Sequence, residues 1–218
     1  MADGFERVRV ALARNGYVYL RDQPSKQISQ LMLELATRLG GSIRTGRGGA
    51  VIELLEEREA VDAPLCSLSR MTGAGAQPWH VDGSHSTLPP RYLIFGCQSI
   101  TGAGVAPTQL LRIKDAGLPH PASNREPFVV RNGRASFYST ISSLDRPWIR
   151  FDPGCMRAQT DEGRLIVEKL LSAQISPFVS LEWQVGDILV VDNWAVFHRR
   201  GKASGLGRRT LLRISLAS

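Results

Sequence analysis

Cysteine is scarce in this chain: Cys66, Cys97 and Cys155 are the only three in 218 residues. Being odd in number, widely spaced and without a CxxC pair, they exclude a zinc knuckle and a disulfide framework, and buried or half-buried thiols are expected. No apolar run approaches the ~20 residues that a membrane helix needs. The first ten residues, MADGFERVRV, are charged and lack the apolar stretch of a secretory signal. A cytoplasmic location without a membrane partner is therefore expected. Internal repeats and low-complexity linkers are missing too. The net charge is +7, which on its own would suit a nucleic-acid binder. Yet there is no aromatic RNA-binding motif, finger spacing or recognition-helix signature. The arginines are dispersed except in HRRGKASGLGRRTLLR near the end, and an anionic small molecule explains that cluster equally well.

Apolar residues make up 43% and charged residues 22%, ordinary for a globular protein, and the length suits a single domain over residues 1–218. Phe5, Val8 and Leu12 share one face of a predicted helix over 5–15, which Gly16 stops. A short strand, YVYL, follows at 17–20. Ser25 is the expected N-cap of a second helix carrying Ile28, Leu31, Leu35 and Leu39, closed by Gly40. From residue 50 the pattern changes to short segments rich in β-branched and aromatic residues: AVIELL, RYLIFGCQS, TQLLRI, PFVVR, RASFYST, FVSLEW, ILVVDN and RRTLLRISL. Asn132-Gly133 predicts a type I′ hairpin turn, and TDEGRLIVEKLLSAQ (160–174) a further amphipathic helix. Helices early and strands afterwards imply a mainly β fold with flanking helices, a sandwich or a barrel. Residues 73–90, with their glycines and prolines, read as a functional loop.

Within that loop stands WHVDGSH (79–85), which holds two of the four histidines. In an extended segment, positions i and i+2 point to the same side, so His80 and Asp82 can face one metal ion together. A second imidazole would complete a facial triad and leave three octahedral positions open, which suits iron(II) that must bind a co-substrate and dioxygen. His198 is the candidate, because it closes GDILVVDNWAVFH, a turn and an apolar strand that would hold a ligand rigidly. His85 either lines a substrate pocket or is a solvated loop residue. His120, in GLPHPAS, reads as structural or exposed. Alone, a His-x-Asp pair is a weak signal.

Taken together, His80-Val81-Asp82, Thr108 at the start of a strand, His198 and Arg209 resemble the iron(II)/2-oxoglutarate-dependent oxygenases of the taurine dioxygenase (TauD/TfdA), clavaminate synthase-like group. NGYVYLRD is similar to that group's opening strand, LGG to the end of its first long helix, and GDILVVDNWAVFH to its distal-histidine strand. The resemblance implies a double-stranded β-helix, the cupin-like jelly roll. His80, Asp82 and His198 would hold iron(II), and O2 would be the oxidant. The far carboxylate of 2-oxoglutarate would meet the planar fork of Arg209 and the hydroxyl of Thr108. Arg213 returns to the face of Arg209 by its even spacing and would meet an acidic substrate group or help hold 2-oxoglutarate. Arg208 should face the other way unless a bulge exchanges the two.

The implied reaction is hydroxylation of an unactivated C–H bond in a small molecule, an amino acid or a biosynthetic intermediate, with 2-oxoglutarate decarboxylated to succinate. The carboxylate of Asp82 favours hydroxylation over halogenation. Further candidates for substrate contact are Trp79, Ser84 and His85, with core packing the plainer role for Trp79. Asn193 and Trp194 are expected to support the strand that carries His198. The chain is short for the group, so the usual covering insertion between Thr108 and His198 must be reduced, and oligomer contacts could replace it. Two other classes share these residues: a silent β-sandwich that only binds a ligand, and a cupin-type zinc hydrolase or isomerase, in which Arg209 and Thr108 need no special position.

Overall fold

The computed structural model of the chain describes residues 2–46, 49–64, 67–118, 122–172 and 175–217, with the side chains of 2–4 and 122 left aside. Cys66 and His120 fall outside the described residues.

Two helices open the chain, α1 (Ala2–Asn15) and α2 (Ile28–Leu39), with strand β1 (Tyr17–Leu20) between them. Ser25 does not cap α2. It begins a 3-10 turn, Ser25–Gln27, and α2 starts after Gln27 without a side-chain cap. The predicted strands then appear: β2 (Ile43–Arg44), β3 (Glu53–Glu56), β4 (Tyr92–Thr101), β5 (Thr108–Arg112), β6 (Phe128–Asn132), β7 (Ala135–Ser139), β8 (Met156–Ala158), β9 (Val179–Leu181), β10 (Ile188–Asp192), β11 (Val196–Arg200) and β12 (Arg208–Leu216). Short helices α3 (Leu68–Thr72) and α4 (Ala122–Arg125) fall between them. Helix α5 (Asp161–Leu171) is capped by Thr160, whose hydroxyl accepts from the Gly163 amide.

The β6–β7 hairpin departs from expectation. Asn132 pairs with Ala135, so the two turn residues are Gly133 and Arg134. Gly133 has φ +62°, and Arg134 is not among the residues with positive φ. A positive φ at the first turn position alone is the type II′ pattern, which puts glycine first, instead of the type I′ turn expected on Asn-Gly.

Three antiparallel sheets result. The largest runs β1-β10-β4-β12-β2, with β3 also on β12; the second runs β11-β5-β9; the third runs β7-β6-β8. The first two face each other as a jelly roll. Leu93, Phe95, Leu110, Trp183, Leu189, Val191, Val196 and Leu211 fill the space between them. On the outer face of the large sheet, Val8, Leu12, Ile28, Met32 and Ala36 of the helices cover Ile94, Ile188, Val190, Leu212 and Ile214. The third sheet and α5 cover the outer face of the second through Phe128, Val130, Ile166 and Leu170 against Leu111 and Phe197. Strict alternation along β11 and β12 thus sends every second residue into the sandwich and the others into a flanking layer. No described helix is long and apolar enough to cross a membrane.

Candidate metal centre and its cavity

The chain returns three times to one end of the sandwich. His198 lies on β11 between Phe197, which points outward, and Arg199. His80 sits beside it, because the segment before Asp82 adds itself to the free edge of β11. The His80 amide donates to the His198 carbonyl and the His198 amide to the His80 carbonyl, each at 3.1 Å, while the Gln77 amide donates to the Arg200 carbonyl at 2.9 Å. Backbone pairing therefore fixes the two imidazoles side by side, with ring centroids 4.4 Å apart.

Asp82 Oδ1 lies 3.5 Å from the Nε2 atoms of both His80 and His198. One ligand atom from each of the three residues falls within 4.8 Å of the others. The Nδ1 of His80 lies 3.0 Å from the Pro78 carbonyl. A carbonyl can only accept, so Nδ1 carries the proton and Nε2 turns a lone pair toward the centre. Two imidazole nitrogens and one carboxylate oxygen on a common point form a donor set that fits iron(II).

The electrostatics agree with the geometry. Burial pushes the Asp82 carboxyl upward, but Arg213 and the two histidines outweigh it and hold the group well below the usual carboxylate range. Burial lowers His80, yet Asp82 and the more distant Asp152 raise it on balance. His198 is lowered, by burial first and by neighbouring His80 second.

Asp82 is held from behind by Asn193, which is fully buried. The Asn193 side chain accepts from the Asp82 amide (3.1 Å) and donates to the carbonyls of Asp82 (3.0 Å) and Pro90 (2.8 Å). Asn193 thus supports a metal-facing residue, through the backbone of Asp82 in place of the histidine strand. Asn193→Ala would strand three buried or half-buried backbone groups, so a loss of about 2–4 kcal/mol is expected, measurable by urea unfolding. Trp194 donates from Nε1 to the Pro89 carbonyl at 3.2 Å.

A cavity of about 1000 Å³ opens over the three residues, and its lining includes Thr108, Asp152, Arg209 and Arg213. Arg209 is 7% exposed and donates from Nη1 to Thr108 Oγ1 at 3.1 Å. Trp183 Nε1 donates to the same oxygen at 2.9 Å, and the Arg209 guanidinium stands 5.5 Å over the Trp183 ring. Both lone pairs of the Thr108 hydroxyl are thereby used, and its proton remains to be donated. Burial pushes the Arg209 guanidinium down to about 10, so it stays charged at neutral pH. Arg208 turns the other way, with its side chain 61% exposed and 3.7 Å from Glu59. The bulge in this sheet lies at Gln98 on β4, because Thr210 pairs with Ser99 and Leu211 with Cys97. The alternation along β12 survives it.

Several expected contacts are placed elsewhere. Trp79 is fully buried in the layer under the second sheet, where its ring packs 4.0 Å from the Arg199 guanidinium. It does not line the cavity. Ser84 is also fully buried, and its hydroxyl donates to the Val81 carbonyl at 2.7 Å; it closes the turn after Asp82 and cannot reach a substrate. Arg213 lines the cavity and donates to Asp82 and Glu53 through three of its five N–H bonds. His85 is exposed and at the cavity lining, which joins its two expected roles.

Trp183 and Asp152 carried no signal in the sequence. Asp152 enters the cavity from a strap whose neighbours hold the loop: Phe151 accepts from the Val81 amide at 2.8 Å, and Arg150, 1% exposed, donates to the carbonyls of Ser84, Ser86 and Thr87. Burial raises the Asp152 carboxyl, partly offset by His80. Cys97 and Cys155 are buried thiols.

No curated protein matches the chain by sequence. Solved structures match it over nearly its full length. An asparagine oxygenase, solved with Fe(II), 2S,3S-3-hydroxyasparagine and succinate, is 15% identical with a TM-score of 0.76, over 100% of this chain and 80% of its own. The non-heme iron oxygenase OrfP, solved with Fe, succinate and (3S)-hydroxy-L-Arg, is 16% identical with a TM-score of 0.68, over 100% and 79%. A taurine dioxygenase from Burkholderia xenovorans is 17% identical with a TM-score of 0.65, over 99% and 82%. The family described as taurine catabolism dioxygenase TauD, TfdA matches residues 116–215, a span that holds His198, Arg209 and Arg213. The chain thus has the jelly-roll fold of the TauD-type oxygenases, and its C-terminal part carries the TauD/TfdA family pattern.

Proposed function

We propose that the protein is an Fe(II)- and 2-oxoglutarate-dependent oxygenase that hydroxylates an unactivated C–H bond of a small molecule bearing an amino group, an amino acid or a close relative. One observation carries the reading: the His80–Asp82–His198 donor set shares a cavity with Arg209 and Thr108. In a zinc hydrolase the buried arginine and the hydroxyl need no special position, and in a silent sandwich the metal donor set needs none.

His80, Asp82 and His198 would hold the iron. The metal supplies oxygen activation and the oxidative decarboxylation of 2-oxoglutarate, which the side chains cannot perform themselves. Arg209 binds the far carboxylate of 2-oxoglutarate through its fork, and Thr108 donates its remaining proton to the same group. Desolvation of Arg209 strengthens that attraction. The cavity orients the target carbon. Asp152 and His85 line the same cavity as His80, and the Asp152 carboxylate suits a substrate ammonium group. The asparagine oxygenase and OrfP structures contain hydroxylated amino acids, which supports the amino-acid class here.

The test is a screen of the common amino acids with Fe(II), 2-oxoglutarate and O2. One or a few should raise succinate formation and gain one oxygen by mass spectrometry. If none does and basal succinate is also missing, the reading fails. With the substrate found, Asp152→Asn should raise KM about 10- to 100-fold with a smaller change in kcat, the size expected for one hydrogen bond to a charged group.

A further inference from the structure

We infer that Glu53 is a positioning residue that locks Arg213 onto the outer oxygen of Asp82 and so makes Asp82 a one-oxygen metal ligand; this rests on the oxygenase reading above. The two oxygens of Asp82 have different partners. Oδ1 faces the two histidine nitrogens at 3.5 Å, and Oδ2 accepts from Arg213 Nη1 at 2.5 Å. The other edge of the same guanidinium is taken by Glu53, whose Oε2 accepts from Nε at 3.1 Å and from Nη2 at 2.8 Å. Glu53 lies directly across from Arg213 in the β3–β12 pairing, so the strand register itself delivers the carboxylate.

The far side of Glu53 is fixed as well. A Cβ built on Gly46 would stand 2.4 Å from the Glu53 side chain. Gly46, whose amide donates to the Ala50 carbonyl (2.8 Å) and whose carbonyl accepts from the Gly49 amide (3.1 Å), therefore lies against that carboxylate. Glycine is needed there for the close approach.

The consequence is chemical. A carboxylate with one oxygen held by a guanidinium cannot swing both oxygens onto a metal, so coordination positions stay open for 2-oxoglutarate and oxygen. Arg213 is at the same time kept from competing with Arg209 for an organic acid. Of the two arginines on the inner face of β12, Arg209 is the one whose guanidinium is hydrogen-bonded to no carboxylate among the described residues.

Anaerobic titration of the full chain with Fe(II) tests this, read by the weak visible band that forms on adding 2-oxoglutarate. Glu53→Ala should weaken Fe(II) binding about tenfold. Gly46→Ala should weaken it similarly without changing any charge. In an Arg213→Gln background, Glu53→Ala should change Fe(II) affinity less than twofold, because Glu53 then has no hold on Asp82. A plain charge or stability effect would persist in that background, and the double-mutant cycle separates the two. Glu53→Ala with native Fe(II) affinity, or an unchanged loss in the Arg213→Gln background, overturns the inference. If the native protein itself forms no band, the oxygenase reading fails with it; if the native protein forms the band and the variants do not behave as stated, only the role of Glu53 falls. Should Arg213→Gln fail to fold, Arg213→Met, which keeps the bulk and removes every donor, serves the same cycle.

Discussion

Replacing His80 or His198 by alanine is expected to abolish 2-oxoglutarate turnover and to weaken Fe(II) binding more than about 100-fold, beyond the 10- to 100-fold that outer partners of metal ligands usually cost. Either change removes one of three donors and leaves two, which cannot define the face of an octahedral ion. The fold should survive, because the bonds that join the two segments run between backbone atoms, His80 amide to His198 carbonyl and the reverse. Those bonds do not depend on the imidazoles. Fe(II) titration together with circular dichroism checks both halves: iron affinity lost, secondary structure kept. Native Fe(II) affinity in either variant would mean that the metal lies elsewhere.

The second large effect belongs to Arg209. Arg209→Ala should raise the dissociation constant of 2-oxoglutarate about 100-fold, which corresponds to about 2.7 kcal/mol, within reach of a desolvated two-pronged carboxylate contact. Fe(II) affinity should change little, since Arg209 touches Thr108 and Trp183 and none of the three metal-facing residues. Arg208→Ala is the internal control. Its side chain is exposed on the outer face of the sheet near Glu59, so 2-oxoglutarate binding should be unchanged. Binding of 2-oxoglutarate to each Fe(II)-loaded variant, measured by calorimetry, separates the cases. A loss in Arg208→Ala with Arg209→Ala silent would reverse the facing of β12.

The facing of β12 was legible in RRTLLRISL because the period of two is a property of any strand, and the bulge that could have reversed it sits on β4 instead. The pairing of His80 with Asp82 was legible for the same reason. What periodicity cannot show is which distant segments meet. Asn193 reads as a turn residue near the distal histidine, yet it binds across the molecule to the loop carrying Asp82. Glu53 and Asp152 look like ordinary charges in sequence, since only the register of β3 on β12 and the strap at 150–152 bring them to the cavity. Trp79 takes its plainer expected role, core packing, while Ser84 departs from its expected one. An extended chain turns alternate residues away, so Trp79 goes into the core; Ser84 has the parity of His80 and Asp82, but the chain leaves the extended form after Asp82 and Ser84 closes the turn there. At the start of α2, Ser25 had the right residue type for a cap, but the 3-10 turn before the helix moved its beginning past it.

The sharpest test of the ferrous centre is an anaerobic titration of the native chain with Fe(II) in the presence of 2-oxoglutarate, followed by exposure to O2. A weak visible charge-transfer band should saturate at one iron per chain, then bleach with release of succinate. A folded protein that gives neither band nor succinate would contradict the placing of iron and 2-oxoglutarate between His80, Asp82, His198 and Arg209.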